Sequence, residues 1–303
     1  MEGSRSKPDC THLIGFQING ENICMPIPDG QARLDISPYL KEEINDILIY
    51  KRLDALNYLA FYGFETEGVL IPLPPRPERR IEVYGDSVSV GILSEATDCT
   101  GQADPAVDAG HFSDSFHSYA AITARNLHAE LHNISQNGIA LVSGRGWFRD
   151  PICTGMDACW DKAAYHPDLA PVTTWDFSQY TPHIVIVALG HNDARPKDIM
   201  KLNPDGEEAH DWIRAYVDFV RQIRNKYPVA LILLLTTILN HHPSWDIAIE
   251  KACLQLDDPD IRHFIFQRNG SATPGHPRIS EHVEMADELT SYIQALDNKI
   301  WKS

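Results

Sequence analysis

Residues 81–91, Ile81-Glu-Val-Tyr-Gly-Asp-Ser-Val-Ser-Val-Gly91, decide how this 303-residue chain is read. Four residues alternating toward a β pattern run into Gly85-Asp86-Ser87. A strand that stops at Gly-Asp-Ser and continues in small residues reads as a strand, a sharp turn and then a loop or helix. Such a turn can present a serine hydroxyl at the carboxyl end of a strand, where open α/β sheets bind their ligands. Gly, Asp and Ser also make ordinary surface turns, so the rest of the chain has to decide.

Beyond residue 78, strand and helix patterns alternate. Residues 115–131 carry apolar residues at helical spacing, and 131–135 follow as a strand. Residues 184–189, Ile-Val-Ile-Val-Ala-Leu, form a continuous apolar run that suits a parallel strand buried on both faces. Residues 207–226 predict an amphipathic helix, 229–237 a buried strand, 245–256 a helix, 262–267 a strand and 279–296 a closing helix. The alternation implies right-handed crossovers and a largely parallel sheet covered on both sides, a three-layer α/β/α arrangement.

The first eighty residues follow a different pattern. Two short strands flank Asn19-Gly20, a strong hairpin signal. Further strand-like runs occupy residues 32–36, 46–52 and 60–73, with a short helix within 36–45. Residues 72–80, Pro-Leu-Pro-Pro-Arg-Pro-Glu-Arg-Arg, cannot sit within a regular element and read as a stiff linker. The expected organisation is a small β domain over residues 1–78, the linker at its end, and an α/β domain over 79–303.

The 43% hydrophobic and 22% charged fractions are those of an ordinary globular protein. A net charge of −16 argues against nucleic acid and against an acidic membrane surface as partners. No two of the six cysteines form a Cys-x-x-Cys pair, so the usual zinc signatures are missing, and neither metal nor cofactor is expected. Residues 1–13 lack the apolar stretch of a signal peptide, and the longest apolar run, 229–235, is too short to cross a bilayer. A cytoplasmic location is expected if the chain is complete.

Polar residues gather where the predicted strands end. Ser87 follows the first, Gln136-Asn137-Gly138 the second and Gly190-His191-Asn192-Asp193 the third, while Gly275-His276-Pro277 precedes the last helix. The carboxyl ends of parallel strands share one edge, so these segments can meet at one site. The chemistry they suit is acyl transfer. Ser87 is a poor nucleophile without a base in hydrogen-bond reach, and His276 is the candidate. The backbone N–H groups of Ser87 and Gly138 and the Asn192 amide are candidate oxyanion donors. A side chain at Gly138 would crowd the approach of a substrate oxygen.

The ordered set Gly85-Asp86-Ser87, Gly138, Gly190-x-Asn192-Asp193 and His276-Pro277 resembles the four sequence blocks of the SGNH, or GDSL, hydrolases across about residues 81–298. The β region before it and the Pro-Arg-Pro-Glu-Arg-Arg-Ile-Glu approach to Gly-Asp-Ser resemble carbohydrate esterase family 2, the acetyl xylan esterase-like enzymes. The resemblance implies an SGNH-type α/β domain preceded by an abbreviated jelly-roll-like domain. It implies a serine esterase that takes acetyl or other small acyl groups from a carbohydrate or small ester. A lipase- or thioesterase-type hydrolase with the same apparatus and a carbohydrate-binding protein with a decayed site are the alternatives.

In the wider family an aspartate three residues before the catalytic histidine orients it; here that position is Thr273. Family 2 tolerates the loss, which implies a Ser87–His276 dyad with a backbone carbonyl on the imidazole. An acid from elsewhere, such as Asp246, is the competing expectation. The β region is short for a complete jelly roll, so a homo-oligomer formed through its exposed edge is a further expectation.

Other residues have ordinary readings as well. His282 is expected in a solvated or capping role. His191 lines the cleft or is satisfied within its turn. His241-His242 lacks an acidic partner at metal-ligand spacing. Asp86 and Asp193 are expected to hold their own turns. Trp147, Trp160 and Trp175 are candidates for a sugar platform or for buried anchors of the long segment 143–182.

Overall fold

In the computed structural model, which describes residues 1–5 and 10–302, the chain opens with six short strands. These are β1 (Glu2–Arg5), β2 (Leu13–Ile18), β3 (Glu21–Pro26), β4 (Gly30–Gln31), β5 (Ile47–Lys51) and β6 (Asn57–Ala60). They form two antiparallel three-stranded sheets, β4-β1-β6 and β3-β2-β5. The β2–β3 hairpin turns at Asn19 and Gly20, whose φ values of 51° and 84° suit the mirror-image turn that matches strand twist. The strand expected at 32–36 does not form. Residues 61–78 have no strand either, and Val69 and Leu73 are about nine-tenths exposed (89% and 90%). Gly63, Gly68 and the prolines interrupt that run. The helix expected within 36–45 is a single 3-10 turn, Ser37–Tyr39.

Five parallel strands then build the central sheet: β7 (Arg79–Gly85), β8 (Ala129–Ser135), β11 (Ile184–Ala188), β12 (Leu231–Leu235) and β13 (Ile261–His263), in the order β13-β12-β11-β7-β8. A two-stranded ribbon, β9 (Lys162–Ala164) and β10 (Thr173–Thr174), lies outside it. Counted within the sheet alone, the order is 2-1-3-4-5. That order places a topological switch point between β7 and β11, where doubly wound sheets bind ligands beyond the strand ends.

Both faces of the sheet are buried, which is why β11 is apolar at every position. Val185 and Val187 enter one core, against the helices Glu207–Lys226 and Ser244–Leu256. Ile184, Ile186 and Ala188 enter the other, against Tyr119–Asn126 and Ile279–Gln294. The helical pattern at 115–131 resolves into a 3-10 turn, Ser115–His117, and the helix Tyr119–Asn126. Ser118 separates them, its hydroxyl capping Ala121 N–H at 3.3 Å.

The N-terminal sheets pack on the α/β part through a buried cation. Arg52, 3% exposed, bonds Asp114 at 2.8 Å, Glu95 at 2.5 Å and the Ser113 carbonyl at 3.0 Å. Asp108 accepts the Thr11 N–H, and Asp54 reaches the 136–137 turn, described below.

Candidate active site

Register brings the ends of three strands level. Gly85 lies opposite Ala188 in β11 and opposite Ser135 in β8. Ser87, Gly138 and Asn192 therefore lie two to four residues beyond one common line, at the switch point. Ser87 begins the short helix Ser87–Val90 and is 4% exposed. Asp86 caps that helix: its carboxylate accepts Val88 N–H at 3.0 Å, the expected Asx-type bond, and also His191 Nδ1 at 3.0 Å. Gly85 is needed for a close approach, because a Cβ there would lie 2.3 Å from Ser89 Oγ.

Among the described residues, neither the Ser87 nor the Gly138 backbone N–H donates to a protein acceptor. The first is an orphan donor of a helix N-terminus. Gly138 has φ +74°, and a Cβ there would lie 2.9 Å from Trp147 Cβ. The glycine is thus required by its own turn and by Trp147. The Asn192 amide donates to Ile139 O at 3.0 Å, which ties the β11 loop to the Gly138 turn. Its nitrogen lies 3.5 Å from Asp86 Oδ2, at the limit of a hydrogen bond.

His276 stands on a loop laid along the chain that leaves the Ser87 helix. Ile279 N–H donates to Ser94 O at 2.9 Å, and Arg278 Nε to Ala96 O at 3.1 Å. The partner of the imidazole differs from expectation. His276 Nδ1 lies 2.6 Å from Asp104 Oδ2, and His276 N–H donates to Asp104 Oδ1 at 2.8 Å. A side-chain carboxylate, not a backbone carbonyl, holds the ring. Asp246 is elsewhere, bonded to His241 and Asn269. Thr273 is buried, and its hydroxyl donates to Gly275 O at 3.1 Å. In this structure the Ser87 hydroxyl makes no hydrogen bond to His276; catalytic hydrogen bonds are often long before substrate binds.

Asp193 takes another role than expected, and other neighbours take one of their expected ones. Asp193 is fully buried and accepts Leu141 N–H at 2.8 Å, Val142 N–H at 3.2 Å and Trp212 Nε1–H at 2.9 Å, so it anchors the 141–142 segment rather than its own turn. Burial pushes its carboxyl up to about 6, against the pull of those donors. His191 is satisfied by Asp86 and by His241 at 3.0 Å each, and His241 also meets Asp246 at 3.0 Å. His282 is not solvated; it is fully buried and accepts Tyr119 N–H at 3.1 Å, capping the helix Tyr119–Asn126. Trp160 is buried, whereas Trp147 is 59% exposed and lies beneath the Arg195 guanidinium, 3.6 Å from its ring centre. Glu95, Asp114 and His117 bring ligand-type atoms within 4.8 Å of one another, but both carboxylates are already bonded by Arg52.

Two contributors were not singled out from the sequence. Asp104 lies in Gly101-Gln-Ala-Asp-Pro, which reads as an ordinary turn. Asp54 comes from the N-terminal region, and its carboxylate accepts Asn137 N–H at 2.6 Å and Gln136 Nε2–H at 2.8 Å. Neither carries a periodic or motif signal.

No family model matches the chain. It is 30% identical over 304 residues to the cellulase/esterase CelE of Acetivibrio thermocellus, covering 93% of this chain and 35% of that protein. It is 27% identical over 237 residues to the acetylxylan esterase / glucomannan deacetylase of Cellvibrio japonicus, covering 75% and 59%. The chain thus spans about a third and about three-fifths of the length of these two relatives (35% and 59%). A family two carbohydrate esterase from Clostridium thermocellum, solved with cellohexaose, superposes with a TM-score of 0.78 at 24% identity, over 97% of this chain and 87% of that one. An acetyl xylan esterase from the rumen bacterium Butyrivibrio proteoclasticus superposes with a TM-score of 0.76 at 22% identity, over 99% and 87%. At these identities the structural likeness shows a shared fold.

Proposed function

The chain is a relative of the family 2 carbohydrate esterases of the SGNH superfamily, and from that premise we propose that it is a serine esterase removing acetyl groups from a carbohydrate. Ser87 is the nucleophile and His276 the general base. His276 takes the hydroxyl proton as Ser87 Oγ attacks the acetyl carbonyl. The oxyanion is held by the N–H groups of Ser87 and Gly138 and by the Asn192 amide. His276 then protonates the departing sugar oxygen, and water, activated by the same imidazole, hydrolyses the acetyl-enzyme.

The observation that carries this reading is the pair of backbone N–H groups, at Ser87 and Gly138, that find no protein acceptor among the described residues, just beyond the ends of two adjacent strands that end level. Preorganised donors of this kind cost nothing to reorient when charge develops. The test is hydrolysis of acetylated xylan and of p-nitrophenyl esters of increasing chain length, with labelling by a serine-reactive phosphonate. Acetate release together with labelling lost in Ser87→Ala supports the reading. Preference for long acyl chains would make the protein a lipase instead. Binding of the polysaccharide without hydrolysis would leave a decayed site.

A further inference from the structure

The geometry points to Asp104 as the acid that positions His276, replacing the aspartate that Thr273 displaces. This rests on the esterase reading of the same site and adds a third residue to it. Asp104 and His276 are 172 residues apart in the chain, and two separate contacts join them. Asp104 Oδ2 meets the imidazole Nδ1, and Oδ1 accepts the backbone N–H of the same histidine. An ionised carboxylate only accepts, so Nδ1 must carry the proton, and Nε2 is left with its lone pair for a serine hydroxyl.

The carboxylate is itself held in place. Arg278, fully buried, donates Nη2–H to Asp104 Oδ1 at 3.0 Å, Nη1–H to His276 O and Nε–H to Ala96 O. One guanidinium therefore fixes the acid, the backbone of the base and the chain that leads from the nucleophile. Burial works against the charge on Asp104, but the bonds and charge of His276 and the Arg278 contact outweigh it and hold the carboxyl well below its usual range. Gly275 completes the fit. A Cβ there would lie 2.6 Å from Asp104 Oδ1 and from Gln102 O, and 2.7 Å from Asp104 N. The acid's loop rests directly on the glycine that precedes the base.

The experiment compares Asp104→Asn, Asp104→Glu, Thr273→Ala and Ser87→Ala on p-nitrophenyl acetate, with folding checked by circular dichroism. In Asp104→Asn kcat should fall about 1,000- to 10,000-fold, as when a triad aspartate becomes asparagine, with KM little changed. Asp104→Glu should recover part of the loss, and Thr273→Ala should stay within about threefold, since its hydroxyl bonds only a carbonyl. The wild-type protein should show a strongly downfield His276 Nδ1 proton that disappears in His276→Ala and shifts in Asp104→Asn. If Ser87→Ala is inactive while folded Asp104→Asn keeps more than about a tenth of wild-type kcat, the acid role is overturned and a dyad stands. Should Asp104→Asn not fold, absence of the downfield proton in wild type overturns it. Full activity of Ser87→Ala would instead defeat the esterase reading beneath it.

Discussion

The Asp54 carboxylate, from the N-terminal β region, accepts the Asn137 backbone N–H at 2.6 Å and so fixes the turn that presents Gly138. The β region therefore acts on the site as well as packing beside it. Asp54→Ala leaves that N–H without its acceptor and leaves the Gln136 amide with Asn137 O alone. We expect kcat on a small acetyl ester to fall about 10- to 100-fold, because a donor displaced by a fraction of an ångström loses much of its value. KM should change little. An unchanged kcat in the folded variant would show that the turn holds its shape without Asp54.

Asn192 has two jobs in this arrangement. Its amide donates to Ile139 O, and its remaining N–H faces the Asp86 side of the crevice. Asn192→Ala should cost about 100- to 1,000-fold in kcat, the usual loss for one oxyanion donor. A change confined to KM would make Asn192 a ground-state binding residue.

His282 predicts an acid-sensitive fold. Burial, then the positive charges of His276, His117 and Arg278, push its pKa from 6.5 down to about 3. The unfolded chain binds this proton near 6.5 and the folded chain only near 3, so between these values the unfolded state holds more protons. Stability therefore falls as pH drops from about 6.5 toward about 3, by a few kcal/mol at about 1.4 kcal/mol per unit. His12, pushed to about 4 chiefly by burial, acts in the same direction. Asp193, raised to about 6 by burial, acts oppositely, favouring the fold at low pH and losing that contribution as pH rises through about 6. His282→Gln should flatten the pH dependence of urea unfolding between about 3 and 6.5 while lowering stability at neutral pH. A slope equal to wild type would refute the assignment.

Trp147 offers an exposed ring beside the Gly138 turn, with Arg195 stacked on it. An aromatic face can stack on a sugar ring, and Arg195 limits the rotation of this one. Trp147→Ala should raise KM on acetylated xylan several-fold more than on p-nitrophenyl acetate. Equal effects on both substrates would mean that the ring supports only the turn.

What the chain's order alone determined was the scaffold of the site. The run at 184–189 is apolar at every position because β11 is buried on both faces, and its neighbour at 231–235 follows the same rule, while 81–85 departs from it at Glu82, a buried carboxylate bonded to Tyr84, His132 and Tyr227. Residues 207–226 carry a helical period and form a helix with those bounds. Such patterns are local, so Ser87, Gly138 and Asn192 could be assigned to one sheet edge before any contact was known. The tertiary structure decided what surrounds that edge. Apolar residues at 61–73 made no strand because no neighbour pairs with them among the described residues. His282 was drawn into the core by the packing of its helix against Tyr119–Asn126, which no residue near it in sequence reveals. Asp104 reaches His276 across 172 residues only because the loop that follows the Ser87 helix is pinned by Arg278 and passes over a glycine with no side chain to stop it. A contact of that kind depends on how distant loops close over one another, and local periodicity carries no record of it.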